Sequence, residues 1–114
     1  MGLFEQIKMG SEVLDFLGKL KVRSNSSAQS WKQVLKSQFH EVLAKFTGLA
    51  EDTGAVGSDK KDAVKKLIAD WYDLVVAPKV PALLRPVVRY LLLWAADYAI
   101  DSFIAWTQKK LTPA

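Results

Sequence analysis

Residues 30–49 read SWKQVLKSQFHEVLAKFTGL, and this stretch decides the fold class. Its apolar side chains, Trp31, Val34, Leu35, Phe39, Val42, Leu43, Phe46 and Leu49, recur at the i, i+3, i+4, i+7 spacing of a helix lying on a core. Ser26 with Gln29, and Ser30 with Gln33, both fit the capping-box spacing, in which a hydroxyl and an amide close free backbone N–H groups. The pattern predicts a helix over about 28–48.

Upstream, the run Arg23-Ser24-Asn25-Ser26-Ser27 has loop composition, and before it residues 3–20 predict a first helix. At about 100° per residue, Glu5, Lys8, Ser11, Glu12, Asp15 and Lys19 share one face, with Leu3, Ile7, Met9, Val13, Leu14, Phe16, Leu17 and Leu20 around the rest. Gly10 and Gly18 each weaken it by about 1 kcal/mol relative to Ala. Downstream, glycines at 48, 54 and 57 with acids at 51 and 52 mark a connection. Ser58 or Asp59 then caps a third helix over 59–77, whose inward stripe is Ala63, Val64, Leu67, Ile68, Trp71, Leu74 and Val75. Pro78 ends it, because the proline ring pushes Ala77 out of helical dihedrals.

Pro86 opens a fourth helix over 86–111 at its first position. From Leu83 to Trp106, 18 of 24 residues are apolar and the only charges are Arg85, Arg89, Asp97 and Asp101. A helix apolar nearly all round needs cover nearly all round, from three shorter helices of its own chain or from a partner. No stretch alternates in the two-residue period of a strand. The expectation is therefore an all-α fold, a compact bundle of four helices in a single domain over 1–114, with the fourth helix long and central. Its expected core is Leu14, Leu17, Leu35, Phe39, Val42, Phe46, Leu67, Trp71, Leu91 and Ile104.

Composition narrows the function. A chain of 114 residues, 50% hydrophobic and 25% charged, forms one domain and is not disordered throughout. The absence of cysteine excludes disulfides, thiol catalysis and thiolate metal sites. The run free of charge from Tyr90 to Ala96 is far short of the roughly 20 apolar residues that a spanning helix needs. Glu5, Glu12 and Asp15 are wrong for a signal or transit peptide, and Gln6 stands where myristoylation wants Ser or Thr. These features lead to the expectation of a chain that starts near Met1 and stays in the cytoplasm.

Little in the sequence points to chemistry. His40, the one histidine, falls on the polar face of the second helix, and Glu41 beside it points about 100° away. Asp97 and Asp101 share a face with Tyr90, but the Glu-x-x-His pairs of helix-bundle metal sites are missing, as are the phosphate-loop and Gly-x-Ser-x-Gly patterns. The expectation is no catalytic residue, no enzyme, no metal, no cofactor and no small-molecule substrate. The net charge of +4 raises nucleic acid as a partner, yet Lys60, Lys61, Lys65 and Lys66 alternate with Asp59, Asp62 and Asp70. Lys19, Lys21 and Arg23 form only a small basic patch, so nucleic-acid binding ranks last.

Two functions fit better. In the first, the protein self-associates, most simply as a dimer, through the fourth helix. Arg85, Arg89, Asp97 and Asp101 lie symmetrically about Leu93, so an antiparallel copy would set Arg89 opposite Asp97 and Arg85 opposite Asp101, with Tyr90, Trp94 and Tyr98 as anchors. In the second, the protein acts at a membrane surface. The opening Gly2-Leu3-Phe4-Glu5-Gln6-Ile7-Lys8 resembles the start of short membrane-active amphipathic peptides, which makes Leu3, Phe4, Ile7 and Lys8 the candidate lipid contacts. Tyr90, Trp94, Tyr98 and Trp106 would then rest at the interface in the manner of phage-type lysis or pore proteins. Against this stands the cost of Asp97 and Asp101 in hydrocarbon, about 2.5–3.5 kcal/mol each.

Overall fold

The computed structural model describes residue 7, residues 11–52 and residues 57–111, with side chains at 7, 12–52 and 59–102. Among the described residues four α-helices follow one another: α1 (Ser11–Ser26), α2 (Trp31–Asp52), α3 (Gly57–Trp71) and α4 (Arg85–Leu111). Among the described residues there is no strand, and the all-α bundle is as expected.

The first turn lies later than the composition implied. Ser24 Oγ donates to the Lys21 carbonyl at 2.9 Å and Ser27 Oγ to the Arg23 carbonyl at 2.8 Å, so the serine-rich run bonds back onto α1 and carries it to Ser26. Ala28 then takes a left-handed φ of 52°, Gln29 N–H reaches the Ser24 carbonyl and Ala28 N–H the Asn25 carbonyl. This is a Schellman closure with alanine where glycine is usual. It consumes residues 27–29, so α2 begins at Trp31 rather than near 28. At its other end α2 runs through Gly48 to Asp52, past the expected stop at 48, so Glu51 and Asp52 belong to the helix and not to the connection. Of the two capping boxes that the spacing allows, the one formed is Ser30/Gln33: Ser30 N–H donates to Gln33 Oε1 at 2.9 Å and Gln33 N–H to Ser30 Oγ at 3.3 Å.

The third helix is not ended by Pro78: Ala77 keeps helical dihedrals, φ −55° and ψ −39°, and Pro78 sits inside a helical turn. The chain first becomes extended at Val80, the residue before Pro81, and the winding changes on the way. After Trp71 it widens into a π turn, Tyr72–Val76, and tightens into a 3₁₀ turn, Ala77–Lys79. The wider turn rotates the register, so Tyr72, Val75 and Val76 face inward while Leu74, expected inside, is exposed. A second 3₁₀ turn, Ala82–Leu84, leads into α4, where Pro86 occupies the first turn and its missing N–H costs nothing.

The core is built around α3 and its π turn. α2 packs on one side, α4 on another, and α1 lies against the π turn. Leu20, Val34, Val42, Phe46, Val64, Leu67, Ile68, Trp71, Tyr72 and Ile100 are fully enclosed. Of the expected core, Leu17, Val42, Phe46, Leu67 and Trp71 are buried, Leu35 and Phe39 are half-buried against it, and the side chain of Ile104 lies outside the described residues. Leu14 and Leu91 are instead largely exposed. The longest helix, α4, is therefore lateral rather than central: it buries Ala96 and Ile100, half-buries Val88, Leu92, Leu93 and Ala99, and leaves its outer face open. The small side chains of Ala96 and Ala99 let α4 sit close on that side, a distinction that a helix apolar all round does not advertise.

Candidate interaction surface

The open face of α4 carries the largest apolar side chains of the segment. Leu83 is 92% exposed, Tyr98 75%, Tyr90 70% and Trp94 69%, and Leu84, Val87 and Leu91 are also exposed. Positions 87, 91, 94 and 98 follow one another at steps of three and four, so Val87, Leu91, Trp94 and Tyr98 make one ridge, with Tyr90 beside it.

Arg85, Arg89, Asp97 and Asp101 do not belong to this ridge. Arg89 Nε lies 3.1 Å from Asp73 Oδ1, and Arg89 Nη2 donates to Asp73 Oδ2 at 3.5 Å. Arg85 Nε donates to the carbonyls of Ala77 at 2.9 Å and Val80 at 3.0 Å, while Tyr72 Oη donates to the Arg85 carbonyl at 2.8 Å. Asp97 meets Lys61 and Lys65, each at 3.2 Å, and Asp101 meets Lys61 at 2.8 Å. Every charge of the expected intermolecular set thus has a partner within its own chain, fastening α4 to α3 and the turns before it. Of the eight interface candidates, Tyr90, Trp94 and Tyr98 face outward, Leu93 is half-buried, and Arg85, Arg89, Asp97 and Asp101 serve the fold.

The electrostatics agree with that assignment. The hydrogen bonds from Lys61 and then Lys65 hold the Asp97 carboxyl below the usual carboxylate range. The bond to Asp101, ahead of the one to Asp97, raises Lys61 above its ordinary value despite some desolvation. Burial raises the Tyr72 phenol, with the Asp73 charge adding to it. A carboxylate held ionised by two lysines is a poor proton donor. His40 is exposed, as expected, and among the described residues no group of three or more His, Cys, Asp or Glu could hold a metal ion.

A second feature was not legible in the sequence. Trp31, Leu35 and Phe39 of α2 and Val88, Leu91, Leu92 and Ala95 of α4 line an apolar groove of about 500 Å³, with Lys32 and Lys36 at its edge. The α2 stripe reads as core from spacing alone; only the side-by-side placement of α2 and α4 leaves its edge open. Ile7, a candidate lipid contact, is buried in the core and unavailable for that role in this fold, while Leu3, Phe4 and Lys8 lie outside the described residues. Among the described residues no helix is long and apolar enough to cross a membrane. No protein-family model, curated protein or solved structure shows significant similarity to this chain.

Proposed function

We propose that this protein is a non-enzymatic assembly module that pairs with a second copy of itself through the outer face of α4. The observation that carries this reading is the exposure of seven large apolar residues on and just before one helix. Aromatic side chains offer about 200 Å² each, so three rings at these exposures present about 400 Å². Leu83, Leu84, Val87 and Leu91 bring the strip toward the roughly 800 Å² per partner of a standard interface, above the 300–600 Å² patch usual on a monomer. A second copy is the fitting occupant because Arg89, Asp97 and Asp101 are already paired with opposite charges of the chain and Arg85 with two of its carbonyls, so the strip demands no counter-charge. It is also self-complementary: turned antiparallel about the point between Leu92 and Leu93, it sets Trp94 against Leu91, Tyr98 against Val87 and Tyr90 against Ala95.

Light scattering after size exclusion, over a wide concentration range and without detergent, tests it. Wild type runs as a dimer, and Trp94→Glu runs as a monomer with unchanged helical circular dichroism; a wild type that stays monomeric at all concentrations overturns the proposal. The same rings are of the kind that settle among lipid headgroups, which supports a membrane-surface role as the second reading. A blue shift of tryptophan emission on anionic vesicles, lost in Trp94→Phe, would favour that alternative.

A further inference from the structure

We infer that the groove between α2 and α4 binds a single-chain anionic amphiphile, a dispersed molecule with an alkyl body and a carboxylate or phosphate head. The groove adjoins the proposed self-association face and meets it at Leu91 and Ala95. Three observations carry the inference.

The floor is apolar from end to end. Trp31, Leu35, Phe39, Val88, Leu91, Leu92 and Ala95 line it, and the only polar side chains are Lys32 and Lys36. A peptide laid there in extended form would leave backbone N–H and C=O groups without partners, at a cost of some kcal/mol for each one buried. An alkyl chain has no such groups.

The edge is positively charged, and among the described residues no carboxylate compensates it. Lys45, Lys60, Lys61, Lys65 and Lys66 all meet carboxylates of the chain. Lys32 and Lys36 meet none among the described residues; the ammonium of Lys32 rests 5.5 Å from the centre of the Trp31 ring. Four residues apart on one helix, they sit on the same side of the groove, where an anion placed over them would be bound by both.

The shape is that of a trough. Gln38 meets Trp71 while Glu51 meets Lys60, so α2 runs antiparallel to α3. Arg89 meets Asp73 while Asp101 meets Lys61, so α4 does too, and α2 and α4 run side by side in the same direction. From Val88 to Ala95 the trough is about 10 Å long at 1.5 Å per residue. Its volume of about 500 Å³ falls within the range of small-ligand sites.

Calorimetry with octyl phosphate, whose alkyl chain matches the length of the trough, below its micelle concentration tests the inference. One molecule binds per chain, and each methylene removed from the alkyl chain weakens binding about fourfold. Octyltrimethylammonium, with the same body and the opposite charge, binds about tenfold more weakly, the effect of two partly exposed charge contacts. Lys32→Gln combined with Lys36→Gln abolishes that preference without abolishing binding, and Ala95→Phe, at an exposed position that tolerates bulk, fills the trough and removes both ligands. Equal affinity for the two amphiphiles, indifference to Ala95→Phe, or binding only to anionic vesicles and not to the dispersed molecule would each overturn it. Because Leu91 and Ala95 also lie on the proposed dimer face, the titrations are run on Trp94→Glu, whose residue does not line the groove, as well as on wild type; absence of binding in both is a failure of the groove, distinct from failure of self-association.

Discussion

Gln38 and Trp71 are joined at the centre of the bundle: Trp71 Nε1 donates to Gln38 Oε1 at 3.1 Å, and Gln38 Nε2 passes the link on to the Leu20 carbonyl at 3.1 Å. Both side chains are enclosed, so α1, α2 and α3 are tied by one amide that has no access to water. Replacing Gln38 with Leu keeps the bulk and strands the indole N–H, at a cost of about 2–3 kcal/mol. Urea unfolding should show a lower midpoint with an unchanged slope. A loss below about 0.5 kcal/mol would mean that the link is not a stabilising one.

Arg89 separates intrachain from interchain pairing. Its partner within the chain is Asp73, so Arg89→Glu lowers stability by about 0.2–1 kcal/mol, the range for an exposed pair. Adding Asp73→Arg should restore that loss in thermal unfolding, whereas adding Asp97→Arg should not. Rescue by Asp97→Arg, with recovery of dimer mass, would instead return these two residues to the interface.

Asp97 sets an acid limit on the attachment of α4. Its folded-state pKa lies below the ordinary 3.8, first because of Lys61 and then Lys65. A depressed carboxylate stabilises the fold above its unfolded value and loses that contribution as pH falls through the folded one. The difference in melting temperature between wild type and Asp97→Asn should therefore be constant above about pH 5 and vanish in stronger acid. Lys61 has the opposite sign: raised by Asp101, it stabilises below 10.5 and loses that contribution as alkaline pH passes its folded value. A melting-temperature difference that persists unchanged below about pH 3 would remove Asp97 from this role.

Ala28 closes α1 at a φ of 52°, where a Cβ costs about 1–2 kcal/mol. Glycine is free of that strain but loses more backbone entropy on folding, about 0.5–1 kcal/mol. Ala28→Gly should accordingly stabilise by about 0.5–1 kcal/mol, seen as a higher midpoint in denaturant. Ala28→Val, β-branched at the same φ, should destabilise.

By itself the sequence determined the class of the fold and the order of its four helices, with the bounds of the fourth. The 3.6-residue recurrence from Trp31 to Leu49, the Ser30/Gln33 box and the proline at 86 are local devices, and local devices act wherever the rest of the chain lies. Tertiary structure decided which faces are covered. Leu74 was lost from the core through a π turn that only packing of Tyr72, Val75 and Val76 selects, and Leu14 through the placement of α1 against that turn. Arg89 and Asp97, symmetric in the sequence, were drawn to Asp73 and to Lys61 and Lys65 because α3 lies antiparallel to α4. The apolar ridge of Val87, Leu91, Trp94 and Tyr98 and the trough beside it exist for the same reason. A helix apolar on every side carries no mark of which side will face its neighbour, and three helices of this length cover only part of a fourth.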